Sequence, residues 1–124
     1  MVHSRDEAVG HALRFTLALD GVEVHVCQEA GALLSSPVLK ACHCLVLHDD
    51  PPRTDGCALL ELLRQHGALA PAILLVGLLT AALQARAEAA GFWLVLEWPI
   101  LDNRLIEAIL SQVRAQRTQG RPYV

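Results

Sequence analysis

The stretch Cys44-Leu-Val-Leu-His-Asp-Asp-Pro-Pro-Arg-Thr-Asp-Gly56 decides the fold. Cys44 to Leu47 is an unbroken apolar run, as a central parallel strand covered on both faces requires; a strand with one wet face would alternate with polar residues. His48, Asp49, Asp50 and the two prolines then make an acidic, stiffened turn. Asp55 has the short side chain that accepts from the first free N–H groups of a helix, and Leu59, Leu60, Leu62 and Leu63 give that helix an apolar stripe before Gly67 ends it.

The same alternation continues on both sides. Met1-Val2-His3 offers a clipped first strand, and Asp6 and Glu7 open a helix with Val9, Ala12, Leu13, Thr16 and Leu17 on one face, closed by Asp20-Gly21. Val22 to Cys27 alternates like an edge strand, and a short helix from Glu29 to Leu34 breaks at Ser35-Ser36-Pro37. Ile73 to Val76 is a second buried strand. Thr80 caps an alanine-rich helix to Gly91, and Phe92 to Leu96 is the fifth strand. Asp102 opens a last helix with Leu105, Ile106, Ile109, Leu110 and Val113 inward. Strand and helix alternating in this way predict an α/β protein with a doubly wound five-stranded parallel sheet and right-handed crossovers. Its functional crevice is expected outside the carboxyl ends of the strands, where His3, Ser4, Arg5, His48, Asp49, Asp50, Val76, Gly77 and Trp98 converge.

The 124 residues fit one domain able to bury a core. A net charge of −3, one lysine (Lys40) and no basic stripe argue against a nucleic-acid surface. No signal-peptide pattern is present, and the longest apolar stretch, Ala68 to Leu79, is too short to cross a bilayer, so no membrane role and a cytoplasmic location are expected. Cys27, Cys42, Cys44 and Cys57 lie in apolar patterns and read as small buried hydrophobes of a reduced compartment. Cys42-His43-Cys44 lacks the second pair of ligands that zinc needs. No metal and no cofactor are expected.

The Cys44–Gly56 stretch, and with it nearly the whole chain, resembles the response-regulator receiver family of bacterial two-component systems. The resemblance implies the flavodoxin-like receiver fold, with strand order 2-1-3-4-5 and residues 1–116 as the domain; residues 117–124 are then a tail or the stub of a linker. In that family the central strand ends on a phosphoacceptor aspartate seven residues before the Asp-Gly that opens the next helix. Here Asp55-Gly56 puts His48 at that place. The family's acidic pair for a divalent cation falls on Ser4 and Arg5, its hydroxyl on Val76, its lysine before a proline on Trp98-Pro99, and its switch aromatic on Val95. The small residue after the hydroxyl survives as Gly77. A hydroxyl and a guanidinium do not supply the hard oxygens Mg²⁺ requires, and without cation and lysine the charge of a transferring phosphoryl group goes unneutralised.

These losses imply a phosphorylation-independent signalling and interaction module, not an enzyme. One alternative is an atypical receiver accepting a phosphoryl group on Asp49 or Asp50; another is a metal or small-ligand sensor at the His3/His48 rim. In the vacated pocket His48 is expected to bond Asp49 or a backbone carbonyl. A slip placing Asp49 at the acceptor position would turn its carboxylate into the helix layer, because strand parity alternates. Trp98 before Pro99 suits a cis peptide, with the indole plugging the space of the lysine and phosphoryl group. The protein partner or homodimer is expected to use the fourth helix, fifth strand and last helix, with Leu78, Leu79, Arg86 and Trp93 as candidate contacts.

Overall fold

The computed structural model describes residues 1–98 and 103–115. In chain order the elements are β1 (Val2–His3), α1 (Glu7–Ala18), β2 (Val26–Cys27), α2 (Ala30–Leu34), β3 (Leu45–His48), α3 (Gly56–Gln65), β4 (Ala72–Val76), α4 (Ala81–Ala90), β5 (Leu94–Glu97) and α5 (Arg104–Ala115). The strands form one parallel sheet in the order β2-β1-β3-β4-β5. Pro99, Asp102 and the tail at 117–124 lie outside the described residues.

Because side chains on a strand alternate, the sheet feeds two separate cores. Leu45 and Leu47 of β3, with Leu74 and Val76 of β4, pack with Leu33, Leu59, Leu60, Leu63 and Ala87 from α2, α3 and α4. Cys44 and Val46, with Ile73 and Leu75, pack with Val9, Leu13 and Leu17 of α1 and Leu105, Ile109 and Val113 of α5. Leu45 to Leu47 and Ala72 to Leu75 are all fully buried. That is why these two strands read as continuous apolar runs.

Helices α1, α3 and α4 begin where short polar side chains can take free N–H groups. Asp6 accepts from Ala8, Asp55 from Cys57 and Ala58, and Thr80 from Leu83. Gly91 closes α4 with a φ of 100°, a conformation that costs any side-chain-bearing residue more.

Two strands differ from the sequence pattern. Val22 and Val24 are buried as the alternation requires, but the ladder of β2 contains only Val26 and Cys27. Its partner β1 offers just Val2 and His3, each also paired to β3, so the rest of the pattern has no strand to bond. β5 starts at Leu94, because Phe92 still belongs to the turn: its N–H bonds the Ala87 carbonyl while its ring is buried.

Glycine supplies a test of the packing. A Cβ at Gly56 would overlap Leu74, which is fully buried, whereas one at Gly31 in α2 meets nothing within 4 Å. Gly56→Ala should cost about 1–3 kcal/mol through overpacking. Gly31→Ala should be neutral or stabilising by up to about 1 kcal/mol. Urea midpoints of the two variants measure the difference, and equal midpoints would contradict the packing described.

Candidate functional site at the carboxyl edge of the sheet

His48 ends β3 and turns toward the α1/α5 side, sharing the parity of Val46. Its Nδ1 lies 3.0 Å from the Ser4 Oγ, and that hydrogen bond is the centre of the site. Ser4 is buried, with its N–H bonded to the Cys27 carbonyl. Its hydroxyl accepts from the Asp6 N–H at 3.1 Å and also lies 3.3 Å from the Asp6 carbonyl. One hydroxyl therefore joins the end of β3 to the start of α1. The expected partner of His48, Asp49 or a backbone carbonyl, is replaced by this serine. Ser4 and His48 follow residues in direct register, Val2 with Val46 and His3 with Leu47, so the two side chains emerge side by side.

Asp49 points the other way. Its Oδ1 accepts the Gly56 N–H at 2.8 Å, so the carboxylate is fixed at the amino end of α3, a site the helix dipole also favours. This is the helix layer that parity predicts. Asp50 exchanges both backbone hydrogen bonds with Thr54, closing the turn, and its carboxylate stands 3.8 Å from Arg53. Pro51-Pro52 inside that turn is cis.

Val76 is buried at the end of β4, and Gly77 is exposed beyond it. Trp98 donates its N–H to the Val76 carbonyl. Its half-buried indole packs on the α1/α5 layer and lines a small cavity with Ala12, Leu13, Thr16 and Ile106. The opposite-facing neighbour, Glu97, accepts the Leu79 N–H at 2.8 Å and ties the loop before α4 to β5. Sequence reasoning missed this tie, since the partners are eighteen residues apart and no local pattern marks them.

His3 is nearly fully buried on the α2/α3 side, away from His48 by parity, and its Nδ1 has no hydrogen-bond partner in the protein. Burial, and then the Arg5 guanidinium, push its pKa below the ordinary 6.5, against the pull of Glu29. The two imidazoles thus serve different faces. Among the described residues no three His, Cys, Asp or Glu side chains group as a metal ion would need. Burial likewise pushes the Cys44 thiol to about 12, which leaves it an inert hydrophobe.

The four candidate contact residues lie in the β4–α4 loop, in α4 and in the turn before β5. Arg86 reaches Asp55, the cap of α3, at 3.3 Å. Leu78 is exposed just past the end of β4, whereas the N–H of half-exposed Trp93 bonds Ala72 at its beginning. Leu79 is half-buried against the core, and Phe92 lies within it.

A five-stranded parallel sheet of order 2-1-3-4-5, covered on both faces and with its polar residues at the carboxyl edge, is the receiver fold. No family model matches the chain. It is 29% identical over 112 residues to the C4-dicarboxylate transport transcriptional regulatory protein DctR of Rhodobacter capsulatus, covering 89% of this chain and 57% of that protein. The crystal structure of FixJ-N matches with a TM-score of 0.72 and 29% identity, covering 90% of each chain. A CheY-like receiver domain from Methanospirillum hungatei matches with a TM-score of 0.77 at 19% identity, covering 96% of this chain and 95% of that one. The chain thus has the receiver fold and is similar, over about nine-tenths of its length, to response-regulator proteins. It spans little more than half the length of its curated relative. Among the described residues no helix is long and apolar enough to cross a membrane.

The buried imidazole of His3 sets a pH dependence. The unfolded chain protonates His3 near pH 6.5, but the fold holds it neutral to lower pH, so below 6.5 the unfolded state binds more protons. This contribution to stability is complete above pH 6.5 and is lost as pH falls through the lowered folded value. His3→Phe should flatten that decline in denaturant midpoints taken across the range. Parallel curves for parent and variant would refute it.

Proposed function

We propose that this domain is a receiver-fold interaction module that signals by binding protein partners in the cytoplasm without phosphorylation of an aspartate. The observation that carries this is the Ser4–His48 hydrogen bond. By the family resemblance, these positions are where a receiver keeps a magnesium ligand and its phosphoacceptor carboxylate. Imidazole cannot form an acyl phosphate. The nearest carboxylate along the strand, Asp49, is already spent on the start of α3. Arg5, Val76 and Trp98 at the remaining positions supply neither cation ligand, hydroxyl nor lysine, so the family's means of neutralising a phosphoryl group in transfer to the end of β3 is missing.

Incubation with a small acyl phosphate and Mg²⁺ should therefore leave the mass unchanged, and His48→Asp alone should stay inert because the other replacements persist. A stoichiometric gain of one phosphoryl group at Asp49 or Asp50 of the parent would overturn the proposal.

The partner surface in this reading is the side formed by α4, β5 and α5, where Trp93 is the large exposed apolar group. Association through it should need no phosphodonor. Light scattering over a concentration series is expected to show a homodimer, or a complex with a partner, that Trp93→Glu weakens. A strict monomer with no partner complex, unaffected by the substitution, would sink this surface.

A further inference from the structure

The order in which strands are added reverses between β1 and β3, since β2 lies to one side of β1 and β3 to the other. At such a switch point the connections leave the carboxyl edge in opposite directions and open a crevice, the general ligand position of doubly wound sheets. The Ser4–His48 pair takes its α1/α5 side. On the α2/α3 side a cavity of about 180 Å³ remains, lined by His3, Arg5, Glu29, Arg53 and Asp55 among others.

The charges there are unequally spent. Asp55 already accepts from the Cys57 and Ala58 N–H groups and from Arg86. Arg5 stands 3.7 Å from Glu29 and Arg53 3.8 Å from Asp50, beyond hydrogen-bond distance and between exposed side chains. Such pairs contribute little and are readily exchanged. Two guanidinium forks from separate loops thus border one cavity without a good acceptor, and His3 adds a buried ring nitrogen without a partner. Orphaned buried polar atoms are rare in native proteins and call for an explanation.

We propose that this cavity binds the phosphate group of a small molecule, with Arg5 and Arg53 as its charged clamp and His3 as the buried group behind them. A tetrahedral dianion presents oxygens in several directions at once, which suits donors arriving from the β1–α1 and β3–α3 loops; a planar carboxylate does so less well. The lining also carries Glu29 and Asp55, but Asp55 is already taken by two N–H groups and Arg86, which leaves two arginines against one carboxylate. Binding here is non-covalent and does not rest on the absence of aspartyl phosphorylation. Inorganic phosphate, which cannot transfer a phosphoryl group, tests it separately.

The experiment is thermal unfolding and calorimetric titration of the full chain with inorganic phosphate at constant ionic strength, against chloride and acetate. Phosphate should raise the melting temperature saturably where chloride and acetate do not. Arg5→Gln and Arg53→Gln should each weaken binding by about tenfold or more, while circular dichroism remains that of the parent. No rise above chloride, an equal rise with acetate, or a rise retained in the double variant would each overturn the proposal.

Discussion

Neither face of β3 is open to water, and that constraint governs everything at the carboxyl edge. Sliding the strand by one residue would exchange the two faces, sending Leu45 and Leu47 into the α1/α5 layer and Val46 into the other. With both layers densely packed, the cost is a repacking of the whole core. The register is therefore fixed far more firmly than any polar contact at the strand end could fix it. His48 must face Ser4, and Asp49 must face α3. The chemistry available at the site follows from the parity of an apolar strand.

The fold was legible from the sequence because its signals are local or periodic. Asp55, Thr80 and Gly91 sit where the caps are, and the apolar runs at 44–47 and 73–76 mark strands buried on both sides. The lengths of β2 and β5 were less legible, since a ladder extends only as far as its neighbour. Two-residue β1 truncates β2 whatever the pattern of Val22 to Cys27. The direction of Asp49 was readable from parity. The partner of His48 was not, because Ser4 is forty-four residues away and meets it only through the β1–β3 register. The partner of Arg86 within the domain was not legible for a related reason: a long charged side chain finds its partner by helix packing, here the cap of α3.

The Ser4–His48 pair also changes the electrostatic character of the crevice. Carboxylates gathered at one point repel one another, and their charge is held at low cost only by a bound cation or by hydrogen-bond donors. A hydroxyl bonded to an imidazole needs neither. Ser4 meets its hydrogen-bonding capacity within a few ångströms, using Asp6 and His48, so it can be almost completely buried without an orphaned group. The centre of the site is thus stable as a polar contact in its own right.

Around that centre the acids are dispersed. Asp6 accepts from Ala8, Asp49 from Gly56, Asp55 from Cys57 and Ala58, and Glu97 from Leu79. Each carboxylate meets a backbone N–H at the start of a helix or in the loop before one, where the exposed donors favour negative charge. The β1–α1, β3–α3 and β4–α4 loops are thereby each pinned by a carboxylate, with no shared ion required. Arg5 and Arg53 keep only long contacts, to Glu29 and Asp50, and their charge is what the edge has left to offer a ligand.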